Sequence, residues 1–307
     1  MKTTENNNLS VQGAKYSPSM LFRKIISSVS KANKTYGIEW WIMVSGALIV
    51  LFMLFTAFFP QTIAPFSPED QEAGSQLAAP SSSHIFGTDN LQRDVFSRVI
   101  YGSRTILGVA FAAAFISSFI GIPLGLFSGY FGGILDRILS LIMDSIYSFP
   151  GLILAISFAA MLGPGVINIT LAVAVIYIPT YFRLVRGQVL TLKEELYVEA
   201  AHSIGASSLS ILFKYIFPNV IATVVVIFSL NIADAIMTEA ALSYIGLGLP
   251  AGIPDWGMDI SIGKSFLPSG VWWMITFPGL AIILLALGFT MMGEGLAEIL
   301  NPRLLEK

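Results

Sequence analysis

An all-α membrane protein with six transmembrane helices is what this sequence predicts, and three observations predict it. Of 307 residues, 55% are hydrophobic and only 12% charged, about half the usual share in a soluble domain. Mean hydropathy is +0.75, more apolar surface than one soluble core of this size can hide. The apolar residues also fall into charge-free runs near the roughly 20 residues that a helix needs to cross a bilayer. Backbone groups in lipid must be satisfied within the segment, so these runs are helices and not open strands.

The crossings follow in order. Trp40 to Phe59 is charge-free and closed by Pro60. No charge lies between Arg104 and Asp136, which places a second crossing near 105–128. Asp144 to Arg183 is too long for one crossing, and Gly163-Pro164-Gly165 splits it, as adjacent Gly and Pro break helices. The third crossing then runs near 138–162 and the fourth near 166–186. A fifth lies near 219–242 and a sixth near 273–293. Gly121, Gly125 and Gly129 recur every four residues along the second, a stripe where another helix can approach closely.

Six crossings put both termini on one side. With the N-terminus in the cytoplasm, thirteen Lys and Arg fall inside and four outside, which satisfies the positive-inside rule. The organisation is then a cytoplasmic segment 1–39, a first helix 40–60, an external loop 61–104 with a short helix, and a five-helix core 105–296. That core holds a cytoplasmic loop 187–218 and an external loop 243–272, and 297–307 is a cytoplasmic tail. Residues 1–39 carry no apolar run of signal-peptide type, and Phe22, Ile25, Ile26 and Val29 are spaced for a helix on the inner leaflet. The net charge of −2 gives no footprint for nucleic acid, and the lack of cysteine rules out thiolate chemistry and disulfides.

The most informative stretch interrupts the apolar pattern on the cytoplasmic side: EAAHSIGASSLSILFKYIFPN, Glu199 to Asn219. KEELYVEAAHS (193–203), which runs into it, is strong helix-forming sequence, Gly205 permits a bend, and a second helix begins near Ser207. Ile211, Leu212 and Tyr215 share a face there, and Pro218 closes that helix before the fifth crossing. Ala200 and Ala201 would let a partner approach, and Glu199 offers it a carboxylate. A helix that merely lay on lipid should carry Lys or Arg on its polar face, yet no charge occurs between Ala200 and Lys214.

This stretch resembles the EAA loop of ATP-binding-cassette importer permeases. Glu199, Ala200, Ala201, Gly205 and Pro218 stand in register with that pattern, while Tyr215 and Phe217 replace its Ile and Leu. HIFGTDNLQRDVFSRVIYGSR (84–104), EAALSYIGLGLP (239–250) with PDWGMDI, and GEGLAEILNPR are similar to the C-type permease subunit of dipeptide, oligopeptide and nickel importers. The resemblance implies a type I importer permease fold in the cell membrane and no catalysis in this chain. It implies as partners a second homologous permease, two cytoplasmic ATPases that hold ATP and Mg, and an external solute-binding protein. It also implies that Glu199, Ala200, Ala201, His202, Gly205, Ala206, Ser207 and Pro218 couple this chain to the ATPases. Oligosaccharides, nickel or metal chelates are alternative cargoes within that class, and an ion-coupled secondary transporter is the alternative outside it. The latter usually shows symmetry between two halves, absent here.

Other candidates divide between function and architecture. GMDISIGKS (257–265) has five residues between its glycines where a phosphate-binding loop has four, so it carries no nucleotide. Asp89 in GTDN reads as the N-cap of a short outer helix, with Arg93, Asp94 and Trp256 as further contacts for the external binding protein. Asp234 and Glu239 are candidates for the translocation path, since carboxylates inside membranes mark such routes; structural hydrogen bonding competes with that reading. Asp144, also near a crossing, has no obvious basic partner. His84 and His202 fall on opposite sides and cannot share a metal, so no metal site is expected.

Overall fold

The structure is a computed structural model, and it describes residues 36–250 and 252–300. The N-terminal amphipathic stretch around Phe22 to Val29 and the last residues of the tail lie outside that range. Among the described residues eleven α-helices follow in order: α1 Ile38–Phe58, α2 Pro60–Ile63, α3 Val95–Phe131, α4 Gly133–Tyr147, α5 Gly151–Leu162, α6 Val166–Leu192, α7 Leu196–Ser203, α8 Ser208–Ile211, α9 Phe217–Tyr244, α10 Trp256–Gly263 and α11 Trp273–Ile299. Among the described residues there is no strand, only an isolated bridge between Thr88 and Asp94. Of the helices in the described residues, five are long and apolar enough to cross a membrane, and the bent pair α4–α5 makes a sixth if counted as one.

Small residues set the packing. On α3 a Cβ at Gly121, Gly125 or Gly129 would stand 2.7–2.9 Å from the carbonyl oxygens of Ile178, Phe182 and Arg186, so backbone meets backbone along α6 as the four-residue spacing predicts. Ser117 donates across the same seam to the Ala174 carbonyl at 2.8 Å. Gly46 on α1 meets the Gly288 carbonyl of α11 in the same way, at 2.7 Å. Ser229 of α9 donates to the Phe289 carbonyl of α11 at 2.8 Å. Between these seams lies one apolar core, with Val109, Ala110, Ala113, Val173, Ile236 and Leu285 fully buried.

Three boundaries differ from expectation. The third crossing is not one rod: α4 and α5 meet at 88°. Pro150 is the cause, because it lacks an N–H to continue the ladder and its own backbone is extended, at ψ 122°. The second helix of the polar hairpin does not end at Pro218. It runs on as one continuous helix from Ser208 to Tyr244, through a wider π-helical turn at Leu212–Ile216. There the Phe217 N–H reaches back five residues to the Leu212 carbonyl, which makes room for a ring that would collide in a regular turn. Finally, Asp89 opens no separate outer helix. The N-cap is Asp94, which accepts from the Ser97 N–H and hydroxyl, both at 2.7 Å, and α3 runs unbroken from there into the bundle.

Candidate functional site

Two regions carry chemistry outside the packed seams: the hairpin Leu196–Ile216 and a cavity beside the α4–α5 bend. The hairpin turns where Gly205 adopts φ +82°, a left-handed conformation that suits glycine. The Gly205 N–H bonds the His202 carbonyl at 3.0 Å and the Ala206 N–H bonds the Ala201 carbonyl at 3.1 Å, a Schellman closure of α7. Ser207 then caps α8 by accepting from the Ser210 N–H.

One face of this unit is anchored. Val198, Ala201, Ile211, Leu212, Ile216 and Val220 are buried together with Leu126 of α3 and Val185 and Val189 of α6. Asn219 adds a tie, donating to the Tyr215 carbonyl at 2.6 Å and to the Tyr197 hydroxyl at 3.4 Å. The other face is open. Glu199, Ala200, His202, Gly205 and Ser207 are exposed, and Pro218 with them, while Ala206 is half-buried. Ile204 and Leu196 are 80% and 79% exposed, large apolar side chains held out at the tip and flank of a rigid turn. Ala201 departs from expectation. It is buried against this chain's own core and leaves no surface for a partner, because it lies three residues from Val198 on the inner stripe of α7.

At the far end of the bundle, the residues expected to meet an external protein are also buried. Asp89 holds Arg93 at 2.6 Å, and Asp94 accepts from His84 Nδ1 at 3.0 Å beside its capping bonds. Arg98 makes a bidentate pair with Asp259, closest at 2.6 Å, and donates to the Pro68 carbonyl at 3.1 Å. Trp256 is fully buried: its indole N–H donates to the Val99 carbonyl at 2.9 Å and its ring fills the space over Gly102. These side chains strap the 64–94 segment and α10 to the bundle and offer no outer surface. Nothing in a charge-rich loop sequence separates buried pairing from exposure when the partner lies 161 residues away.

The cavity measures about 440 Å³ and is lined by the α4–α5 bend (Tyr147, Phe149, Leu152), by α6 (Tyr177, Thr180) and by α9 (Asn231, Asp234, Thr238). Asp234 is exposed in it, whereas its neighbours Asn231, Ile232, Ala233, Ala235 and Ile236 are buried. Tyr177 is fixed by a 2.9 Å bond between its hydroxyl and that of Thr238. Glu239 is not part of this lining. It is buried on another face of α9, where one oxygen accepts from the Ser243 hydroxyl at 3.2 Å and the other has no partner, so unlike Asp234 it does not line this open cavity. Asp144 does have a basic partner: Arg183 donates to it at 2.8 Å and lies 4.0 Å over the Tyr147 ring. Arg186 pairs with Asp136 through two bonds of 2.5 and 2.7 Å, tying α4 to α6 below the bend. The aromatic and hydroxyl wall of the cavity went unread in the sequence; Pro150 inside an apolar run was the signal for the bend that exposes it. Among the described residues no group of three or more potential ligands could hold a metal ion.

The fold is a bundle of long apolar helices with a polar hairpin anchored at one end. The chain belongs to the family of binding-protein-dependent transport system inner membrane components, the permease subunits of ATP-binding-cassette importers; the family matches residues 121–306. A dipeptide transport system permease protein of Alkalihalophilus pseudofirmus is 37% identical over 259 residues, 84% of this chain and 85% of the relative. A glutathione transport system permease protein of Pectobacterium atrosepticum is 38% identical over 282 residues, 89% and 93% of the two chains. One of the same description from an Escherichia coli strain is 39% identical over 261 residues, 85% and 86%. It is therefore a multi-pass inner-membrane permease of the peptide and nickel importer branch.

Proposed function

We propose that this chain is one of two permeases in a type I importer for di- and oligopeptides, driven through the hairpin by cytoplasmic ATPases that carry the ATP and Mg. The observation that supports it is the hairpin's two-sidedness. Its inner face is packed on α3 and α6, and its outer face presents Glu199, Ala200, Ile204 and Ser207. A lever needs both: attachment stiff enough to pass a displacement on, and a free surface for the motor. In this reading the membrane is crossed six times, α4–α5 being the bent third crossing, and the hairpin and both termini are cytoplasmic. The charge balance along the sequence supports that orientation. The external binding protein and a second homologous permease complete the assembly, and the cavity at the bend is a stretch of the path. The names of the dipeptide and glutathione relatives support the peptide cargo. Nucleotide must favour one global state over the other, so the ATPases grip the hairpin differently in the two.

The test is uptake by the reconstituted complex. Glu199→Arg reverses the charge on the open face. Gly205→Pro forces φ near −65° and removes the N–H that closes α7. Both should abolish uptake and substrate-stimulated ATPase while the chain still inserts. Normal uptake in both would defeat the docking role.

A further inference from the structure

We infer that Asp234 makes the cavity at the α4–α5 bend a site for a cationic group, so that cargo is received there by its ammonium end. The inference rests on the reading that this cavity lies on the path. Asp234 lines the cavity on α9, and no described residue donates a hydrogen bond to its carboxylate or pairs with it. The two arginines of the facing helix are already engaged, Arg183 with Asp144 and Arg186 with Asp136. An ionisable side chain left unpaired in an apolar helix is costly, and it persists where water or a ligand meets it.

The rest of the wall suits the same guest. Tyr147, Phe149 and Tyr177 give aromatic surface, and Thr180 and Thr238 give hydroxyl oxygens. A single carboxylate among aromatic faces attracts a compact ammonium twice, by charge and by the ring quadrupole. No basic side chain lines the cavity, so it offers no countercharge to a carboxylate or other anion. At about 440 Å³ the space is within the range of small-molecule sites. Cargo with a free amino terminus is thereby favoured at this point over N-acylated or anionic analogues, independently of what the external binding protein selects.

The chain has no cysteine, so Thr180→Cys places a single thiol of this chain beside Asp234. The assembled complex in proteoliposomes is labelled with a trimethylammonium or a sulfonate thiosulfonate, and modification of this chain is followed by mass. With Asp234 present the cationic reagent should react faster. Asp234→Asn should lower the ratio of cationic to anionic rates by about tenfold or more, and Asp234→Glu should preserve it. An unchanged ratio in Asp234→Asn overturns the inference and leaves the path intact. A second measurement needs no change at Asp234: alanyl-alanine should slow the labelling of Cys at this position and its N-acetyl derivative should not. Equal protection by the two also overturns the inference. If neither reagent reaches the thiol from either side, the cavity is off the path, and the path reading falls together with the inference.

Discussion

The two ends of the bundle treat their polar residues in opposite ways. At the Trp256 end, Asp89, Arg93, Asp94, Arg98 and Asp259 are buried and paired, and two indole N–H groups are spent on backbone carbonyls, Trp256 on Val99 and Trp273 on Thr88. At the hairpin end, the polar residues of α7 and its turn are exposed, and burial is confined to the apolar inner face. Polar side chains that close on one another make a fixed cap. Polar side chains that face outward from a rigid mount make a surface for something else to hold. The difference lies in packing and not in composition, since both segments interrupt the apolar runs with charges and hydroxyls.

The largest break in that comparison should come from the buried end. Arg98→Ala leaves Asp259 buried without its bidentate partner, and loss of one member of such a pair costs about 3–5 kcal/mol. Thermal unfolding in detergent should show a large drop, and the double change Arg98→Met with Asp259→Leu should recover most of it. A smaller loss is expected in the seam that carries the hairpin. Gly125→Val sets a side chain against the Phe182 carbonyl, an overpacking worth about 1–3 kcal/mol, whereas Gly108→Val on the same helix enters open space and should be near neutral. The smallest effect belongs to the turn: Gly205→Ala places a side chain at φ +82° and costs about 1 kcal/mol locally. Hydrogen exchange should quicken across 201–207 with the unfolding midpoint hardly moved. If Arg98→Ala proved milder than Gly205→Ala, the contrast between a locked end and an open one would be lost.

Most of the bundle was legible in the sequence because crossing a bilayer demands length and apolarity together, and both can be read from one run of residues. The α3 glycine stripe was legible for the same reason, since four-residue spacing is local. The long-range pairs were not. Arg98 and Asp259 are each unremarkable in their own segment, and only the folded chain brings them to 2.6 Å. The bend at Pro150 hid within an apolar run whose length alone suggested a straight helix. Proline breaks regular turns, so Pro218 predicts a helix end; a π-helical turn upstream accommodates it instead. In the hairpin, the Glu199–Ala200–Ala201 triplet gave the open face, but Ala201 belongs to the inner stripe with Val198, a spacing of three that was there to be read.

The proposed drive depends on the hairpin's exposed face meeting a nucleotide-driven partner. Ser207→Cys puts a thiol at the exposed start of α8, and its modification by a membrane-impermeant maleimide can be followed in inside-out vesicles with and without the ATPase subunits. The permease pair alone should label rapidly, and binding of the ATPases should protect the thiol strongly. Equal labelling in both, or labelling only from the external side, would contradict the proposed drive.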